Sequence, residues 1–166
     1  MKKVMFLFST MIIFATSTLF AGIPISKEDK VTPVDEIWMD MAVDLAKGNA
    51  NAGGSPCGTV IVLNGAFKCA GESTEKVSSV EVAIAMSQMV SLENAVIYTI
   101  NEPTTEAYNM ICRFGADAVY FVNPKESVIA AGVQPASAYD DDAIDASLPQ
   151  VPVYQINYDD AKALLK

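Results

Sequence analysis

The stretch IYTINEPTTEAYNMICRFGADAVYFV, residues 97–122, decides the fold. It opens in an apolar strand-like run, 95–100, and passes through a polar start, NEPTTEAY (101–108). A helix-like run over 104–114 follows, broken by Gly115. A second strand-like run, Ala118-Val-Tyr-Phe-Val122, then ends at Asn123-Pro124. Strand, helix and strand in such short order predict parallel strands joined by a helical crossover. Backbone N–H groups at the start of the helix converge on whatever lies beyond the first strand, so 101–108 is where a site is expected. Thr104 and Thr105 supply N-cap hydroxyls there, and Glu106 suits the positive end of the helix dipole.

Toward the N-terminus, 58–63 and 66–70 are apolar runs around Asn64-Gly65, the strongest short signal for a β-hairpin. Pairing Leu63 with Ala66 carries Val60 opposite Cys69. Cys57 then falls on the other face of the sheet, out of disulfide reach of Cys69. Residues 78–89 predict a second helix, apolar nearly all round and hence buried on most sides. Val34, Ile37, Trp38, Met41, Leu45 and Ala46 follow the i, i+3, i+4 spacing of an earlier amphipathic helix, which ends in the loop GNANAGGS, 48–55.

Toward the C-terminus, a short helix follows Pro124 and runs up to Gly132. Residues 133–150 are turn-rich and acidic. Residues 151–156 predict a last strand, with Pro152 near its start suggesting a sheet edge. Residues 158–165 predict a terminal helix. The expected architecture is α/β: a three-layer α/β/α sandwich around a mixed five-stranded sheet, antiparallel at the hairpin and parallel after it. Its domain spans 34–166, and 22–33, with two prolines and mixed charges, is expected to be a linker.

Residues 1–21 have the pattern of a signal peptide: Lys2 and Lys3, an apolar run over 4–14, and Ala21 as the cleavage point. An uncleaved membrane anchor is the alternative. The expected location is periplasmic or secreted, with no stable membrane association after cleavage. Without the two leader lysines the chain carries 9 basic and 20 acidic residues, a net of −11. Arg113 is the only arginine. No nucleic-acid partner is expected, because such partners need clustered positive charge. The chain has no histidine, which removes the commonest metal ligand and the commonest general base.

The stretches PCGTVIVLNG (56–65), SSVEVAIAM (78–86) and 97–122 resemble the cytidine deaminase-like superfamily, in particular its nucleobase, guanine and tRNA-adenosine deaminases. The resemblance runs from about Met39 to the C-terminus and implies the fold above. It also implies a homodimer. In that family a His-x-Glu and a Pro-Cys-x-x-Cys supply three zinc ligands and a proton-shuttling Glu. Matched residue by residue, the histidine position holds Ser79, the first cysteine position Thr104 and the second Ala107. Glu81 keeps the place of the catalytic glutamate, and Ser73 is nearest to the family's substrate-binding asparagine.

The resemblance therefore implies a degenerate member with no metal and no cofactor. Zinc lowers the pKa of bound water from 15.7 to about 7. Losing it raises the cost of hydroxide by on the order of 10 kcal/mol, which a lone carboxylate does not recover. Glu81 is the candidate catalytic residue, though Ser78-x-x-Glu81 fits a capping box, the stronger reading of that glutamate. Cys57, Ser73, Ser79 and Thr104 are candidate ligand contacts for a small planar molecule. Cys57, Glu81 and Glu106 are the other metal set to weigh, with no recognised spacing. Asp140, Asp141, Asp142 and Asp145 lack the glycine and glutamate of a calcium loop. Two functions follow: a zinc-free, non-catalytic protein that binds a nucleobase-like ligand or a protein partner, or a hydrolase using Glu81 as proton shuttle.

Overall fold

The computed structural model describes residues 22–28, 31–74 and 76–165. The leader, 1–21, lies outside the described residues. In chain order the elements are β1 (Ile25–Glu28), α1 (Pro33–Asn51), β2 (Gly58–Leu63), β3 (Ala66–Glu72), α2 (Ser79–Ser87) and β4 (Ala95–Asn101). They continue with α3 (Thr105–Phe114), β5 (Ala118–Asn123), α4 (Lys125–Ala130), β6 (Val153–Ile156) and α5 (Asp159–Lys162).

One sheet runs in the order β1-β6-β5-β4-β2-β3. β2 is antiparallel to β3 and β4, whereas β4, β5, β6 and β1 are all parallel. Because side chains alternate along a strand, each face has its own core. Ile61, Ile97, Val119, Phe121 and Val153 pack with Ala83 and Ile84 of α2 and Ile111 of α3. Val60, Val62, Tyr98, Ile100, Val122 and Ile156 pack on the opposite face with Met39, Val43 and Ala46 of α1 and Ala161 of α5. This is the expected three-layer sandwich, with six strands rather than five.

The sixth strand corrects the linker expectation for 22–33: Ile25–Glu28 pairs with β6 from Ile25↔Val153 to Glu28↔Ile156. It also overturns the edge assignment of the last strand, since β6 now lies between β5 and β1. Four residues with little apolar content carry too weak a signal to be read from sequence, and β6 supplies the template. The hairpin register also shifts. Leu63 pairs with Ala66 as expected, but Cys69 pairs with Ile61 and Ala70 with Val60. Val62 pairs with Phe67, so Lys68 is the extra residue of a bulge. Cys69 consequently faces α2, where its thiol donates to the carbonyl of Ala83. Cys57, Cys69 and Cys112 are free thiols.

Two glycines let the helices approach the sheet. A Cβ on Gly58 would stand 2.3 Å from the Ala42 carbonyl oxygen of α1. One on Gly71 would stand 2.4 Å from both the Ala83 nitrogen and the Ser79 oxygen of α2. The helix α2 is less enclosed than its composition suggests: Met86 is 66% exposed, with Val90 just beyond it 98% exposed. Among the described residues no helix is long and apolar enough to cross a membrane.

Candidate functional site

The starts of α2 and α3 lie side by side at one end of the sheet. Each is set by a hydroxyl N-cap in extended backbone. Ser78 accepts from the Glu81 N–H, and the Glu81 carboxylate accepts from the Ser78 N–H at 3.1 Å and from its hydroxyl. The capping box is therefore formed. Thr104 accepts from the Ala107 N–H at 3.2 Å. Between the two helix starts is a cavity of about 340 Å³.

Glu81, Ser78 and Lys76 form one wall, and Thr104, Glu106 and Asn109 another. The third wall is the 134–143 segment, through Gln134, Ser137, Ala138, Asp140 and Ala143. That segment arrives from far along the chain, and three bonds tie the 140–145 stretch to α3. The Thr105 hydroxyl donates to the Asp140 carbonyl at 3.0 Å. The Asn109 amide donates to the Ala143 carbonyl at 3.0 Å, and its oxygen accepts from the Asp145 N–H at 2.9 Å.

The candidate residues named from the sequence thus separate into two groups by position. Glu81 and Thr104 line the cavity; Cys57, Ser73 and Ser79 do not. Ser79 is 5% exposed and bonds through its hydroxyl to Thr59 at 2.8 Å. Ser73 is buried behind the site, accepting the Asn49 amide on its hydroxyl at 3.3 Å. Cys57 is buried beside it and accepts from the Asn101 amide at 3.1 Å. Burial pushes the Cys57 thiol up, against the opposing hydrogen bonds from Ser73 and Asn101. Asn101 in turn accepts from Asn123 at 3.1 Å. These residues form a satisfied polar seam across the strand ends, apart from the cavity lining. Lys76, Asn109 and Gln134 line the cavity without any local signal that could have marked them.

No protein-family model and no curated protein matches the sequence. Solved structures do match the fold. Guanine deaminase from Nitrosomonas europaea superposes with a TM-score of 0.62 at 15% identity, covering 84% of this chain and 86% of that one. Guanine deaminase from Bacillus subtilis gives 0.56 at 26% identity, over 60% and 70%. A protein solved in complex with 2,6-diaminopurine gives 0.62 at 15% identity, over 83% and 82%. The chain has the cytidine deaminase-like fold.

The resemblance places its implied zinc at the helix starts of α2 and α3, and the residues present do not fit it. Ser79 already spends its hydroxyl on Thr59. Thr104 spends its hydroxyl on capping α3. Ala107 is fully buried and has no donor atom. Among the described residues no group of three or more Cys, Asp or Glu side chains is placed to hold a metal, which also covers the set of Cys57, Glu81 and Glu106. Glu106 and Glu81 share the cavity, but Cys57 stands apart from it.

Proposed function

We propose that this chain is an exported, zinc-free relative of the deaminases, without catalytic activity, that binds a small nucleobase-like ligand in the cavity between α2 and α3. The observation that carries the reading is the pairing of a retained cavity with lost metal ligands. The cavity still opens between the two helix starts. At the three ligand positions Ser79 and Thr104 are engaged in bonds of the fold and Ala107 has nothing to offer. Its carboxylates, Glu81, Glu106 and Asp140, outnumber its one ammonium, Lys76. That balance favours a neutral or amino-bearing ring over a phosphorylated nucleotide. A neighbour of the same fold carries 2,6-diaminopurine, a ligand of that class.

The leader supports export to the periplasm or the medium, and cell fractionation tests it. The homodimer implied by the fold belongs to the same reading, and light scattering on the mature chain tests it. Binding is tested by melting the mature protein with 2,6-diaminopurine, guanine and adenosine, since a ligand of the native state raises the melting temperature. A saturable shift supports the reading, and no shift with any of these compounds overturns the ligand half of it.

The second reading is a hydrolase with Glu81 as proton shuttle, favoured by one observation: its side chain lines the cavity. Ammonia release from an amino-purine, abolished by Glu81→Gln, would establish that reading in place of the first. The Gln variant keeps an acceptor for the capping box, so lost turnover could not be blamed on a lost helix start.

A further inference from the structure

A second cavity, of about 310 Å³, lies beside Gly22. Its walls carry Glu102, Lys125, Glu126 and Asp141 next to Ile23 and Phe121. Three carboxylates share one ammonium there. Glu102 is 5% exposed, and one of its oxygens accepts from the Lys125 backbone N–H at 2.8 Å. The Lys125 ammonium reaches Asp141 instead, 3.1 Å from Oδ2 and 3.4 Å from Oδ1. Burial pushes the Glu102 carboxyl up, and the charges of Glu126 and Asp141 push the same way, against Lys125. A further positive group in this cavity would be stabilised by all three carboxylates.

The chain itself can supply that group. A Cβ built on Gly22 would stand 3.8 Å from Cγ and Oδ2 of Asp141 and 3.9 Å from Oδ1. The Gly22 nitrogen is bonded to the same Cα, which places it within roughly 6.5 Å of the carboxylate. While the leader is attached this nitrogen is a neutral amide. Hydrolysis of the Ala21–Gly22 bond by a leader peptidase consumes one water, leaves a carboxylate on Ala21 and makes the Gly22 nitrogen an ammonium.

We propose that the α-ammonium of Gly22, created when the leader is removed, docks against Asp141 and Glu102 and fastens the entry to β1 onto the segment that walls the candidate site. The proposal rests on the leader reading above and not on the ligand reading. Its structural consequence is specific. β1 is an edge strand held by β6 alone. Asp141 directly follows Asp140, whose carbonyl is anchored by Thr105 of α3. Removal of the leader would therefore tie the sheet edge and the cavity wall together in one step.

The test compares three versions of the chain: one starting at Gly22, the same chain acetylated on its α-amino group, and one retaining Ala21. The α-amino pKa is read by NMR after reductive 13C-methylation, which keeps the charge. An α-amino group ordinarily titrates at about 7.7–8.0. The expected value for the Gly22 chain is at least about one unit higher, falling back to the ordinary range in Asp141→Asn and in the chain retaining Ala21. Acetylation is expected to lower the melting temperature at pH 7 by roughly 2–4 °C. A group whose pKa is raised on folding stabilises only while protonated, so this difference fades as pH rises through the raised pKa. An ordinary α-amino pKa together with equal melting of the free and acetylated chains would overturn the proposal. So would an exported protein whose N-terminus, by mass spectrometry, is not Gly22. Neither result depends on nucleobase binding, so this proposal and the ligand reading fail separately.

Discussion

The hydroxyls of Ser79 and Thr59 are 2.8 Å apart, inside the contact between the first turn of α2 and β2. Thr59 donates onward to Thr99 at 2.8 Å, and Thr99 to the Gly58 carbonyl at 3.5 Å. With Ser79 donating to Thr59, each of the three hydroxyls gives one proton and none is orphaned. The position that the resemblance matches to a metal ligand is here turned inward, as a rivet between helix and sheet. Thr59 and Thr99 are 0% and 1% exposed, so water cannot substitute for either partner.

Thr59→Val should therefore be costly despite the similar shape of the two side chains. It leaves the Ser79 and Thr99 hydroxyls buried with one partner fewer each. The expected loss is about 1–3 kcal/mol, read from the midpoint of urea unfolding. A loss below about 0.5 kcal/mol would mean that the three linked hydroxyls contribute nothing to holding α2.

The natural chain should purify with well under about one zinc per molecule, because the residues at the ligand positions offer too few donors for a stable site. Ser79→His combined with Thr104→Cys and Ala107→Cys restores three donors across the two helix starts. That variant should take up about one zinc, measured by mass spectrometry of the undigested protein. Failure of the triple variant to retain zinc, with its circular dichroism unchanged, would show that the helix starts no longer stand in ligand geometry.

Gly71→Ala should damage the site without touching it. The added Cβ would meet backbone atoms of Ser79 and Ala83 at 2.4 Å, and backbone cannot rotate away as a side chain can. The helix α2 must move, and Ser78 and Glu81 move with it. The expected cost is above about 3 kcal/mol, accompanied by loss of any nucleobase-dependent melting shift. A soluble variant of unchanged stability would place α2 farther from β3 than the structure does.

How much of this was legible depended on how local the signal was. The helix α3, with Thr104 before it and Gly115 after it, and the hairpin at Asn64-Gly65 rest on turn and cap chemistry written within a few residues. Both formed where that chemistry places them. The edge strand β1 has no such signal, because its stability comes from β6, at the far end of the chain. The bulge at Lys68 was invisible for a similar reason: either register satisfies the alternation locally, and contact of Cys69 with α2 decides between them. Of the candidate residues that the resemblance singled out, Glu81 and Thr104 line the cavity. The resemblance could not show that Cys57, Ser73 and Ser79 turn away, because their partners Asn101, Asn49 and Thr59 are joined to them only by folding. The third wall was hidden in a stretch that read as acidic loop.

Alkaline pH should loosen the C-terminal helix from α1. The Tyr158 hydroxyl donates to the Asp40 carboxylate. That bond, with some burial and the charge of Asp40 itself, pushes the Tyr158 phenol up to about 12. A phenol with a raised folded pKa stabilises below its unfolded value of about 10 and loses that contribution as pH climbs toward 12. The stability difference between the natural chain and Tyr158→Phe should hold level up to about pH 10 and shrink above it. Its size is expected to stay under about 1 kcal/mol, because the contact is solvent-facing. A difference that grows above about pH 10 in chemical unfolding would reverse the sign argued here.

Asn109 offers the sharpest separation between stability and binding. Its amide and its oxygen hold two points of the 143–145 stretch, at Ala143 and Asp145, and the residue itself borders the cavity. Both bonds are exposed, so Asn109→Ala removes little from the folded core, about 0.5–1.5 kcal/mol. The stretch it helps to hold continues from the 134–143 side of the cavity, which Glu81 also lines. A ligand held between Glu81 and that side should lose affinity by about tenfold, since each 1.4 kcal/mol of lost contact or added ordering cost is one decade. Titration calorimetry with 2,6-diaminopurine would measure it on the natural chain and the variant side by side. Thr105→Val, which removes the bond from α3 to the Asp140 carbonyl, should reproduce the loss. Equal affinities in all three proteins would mean that neither these two side chains of α3 nor the 134–143 segment helps to hold the ligand.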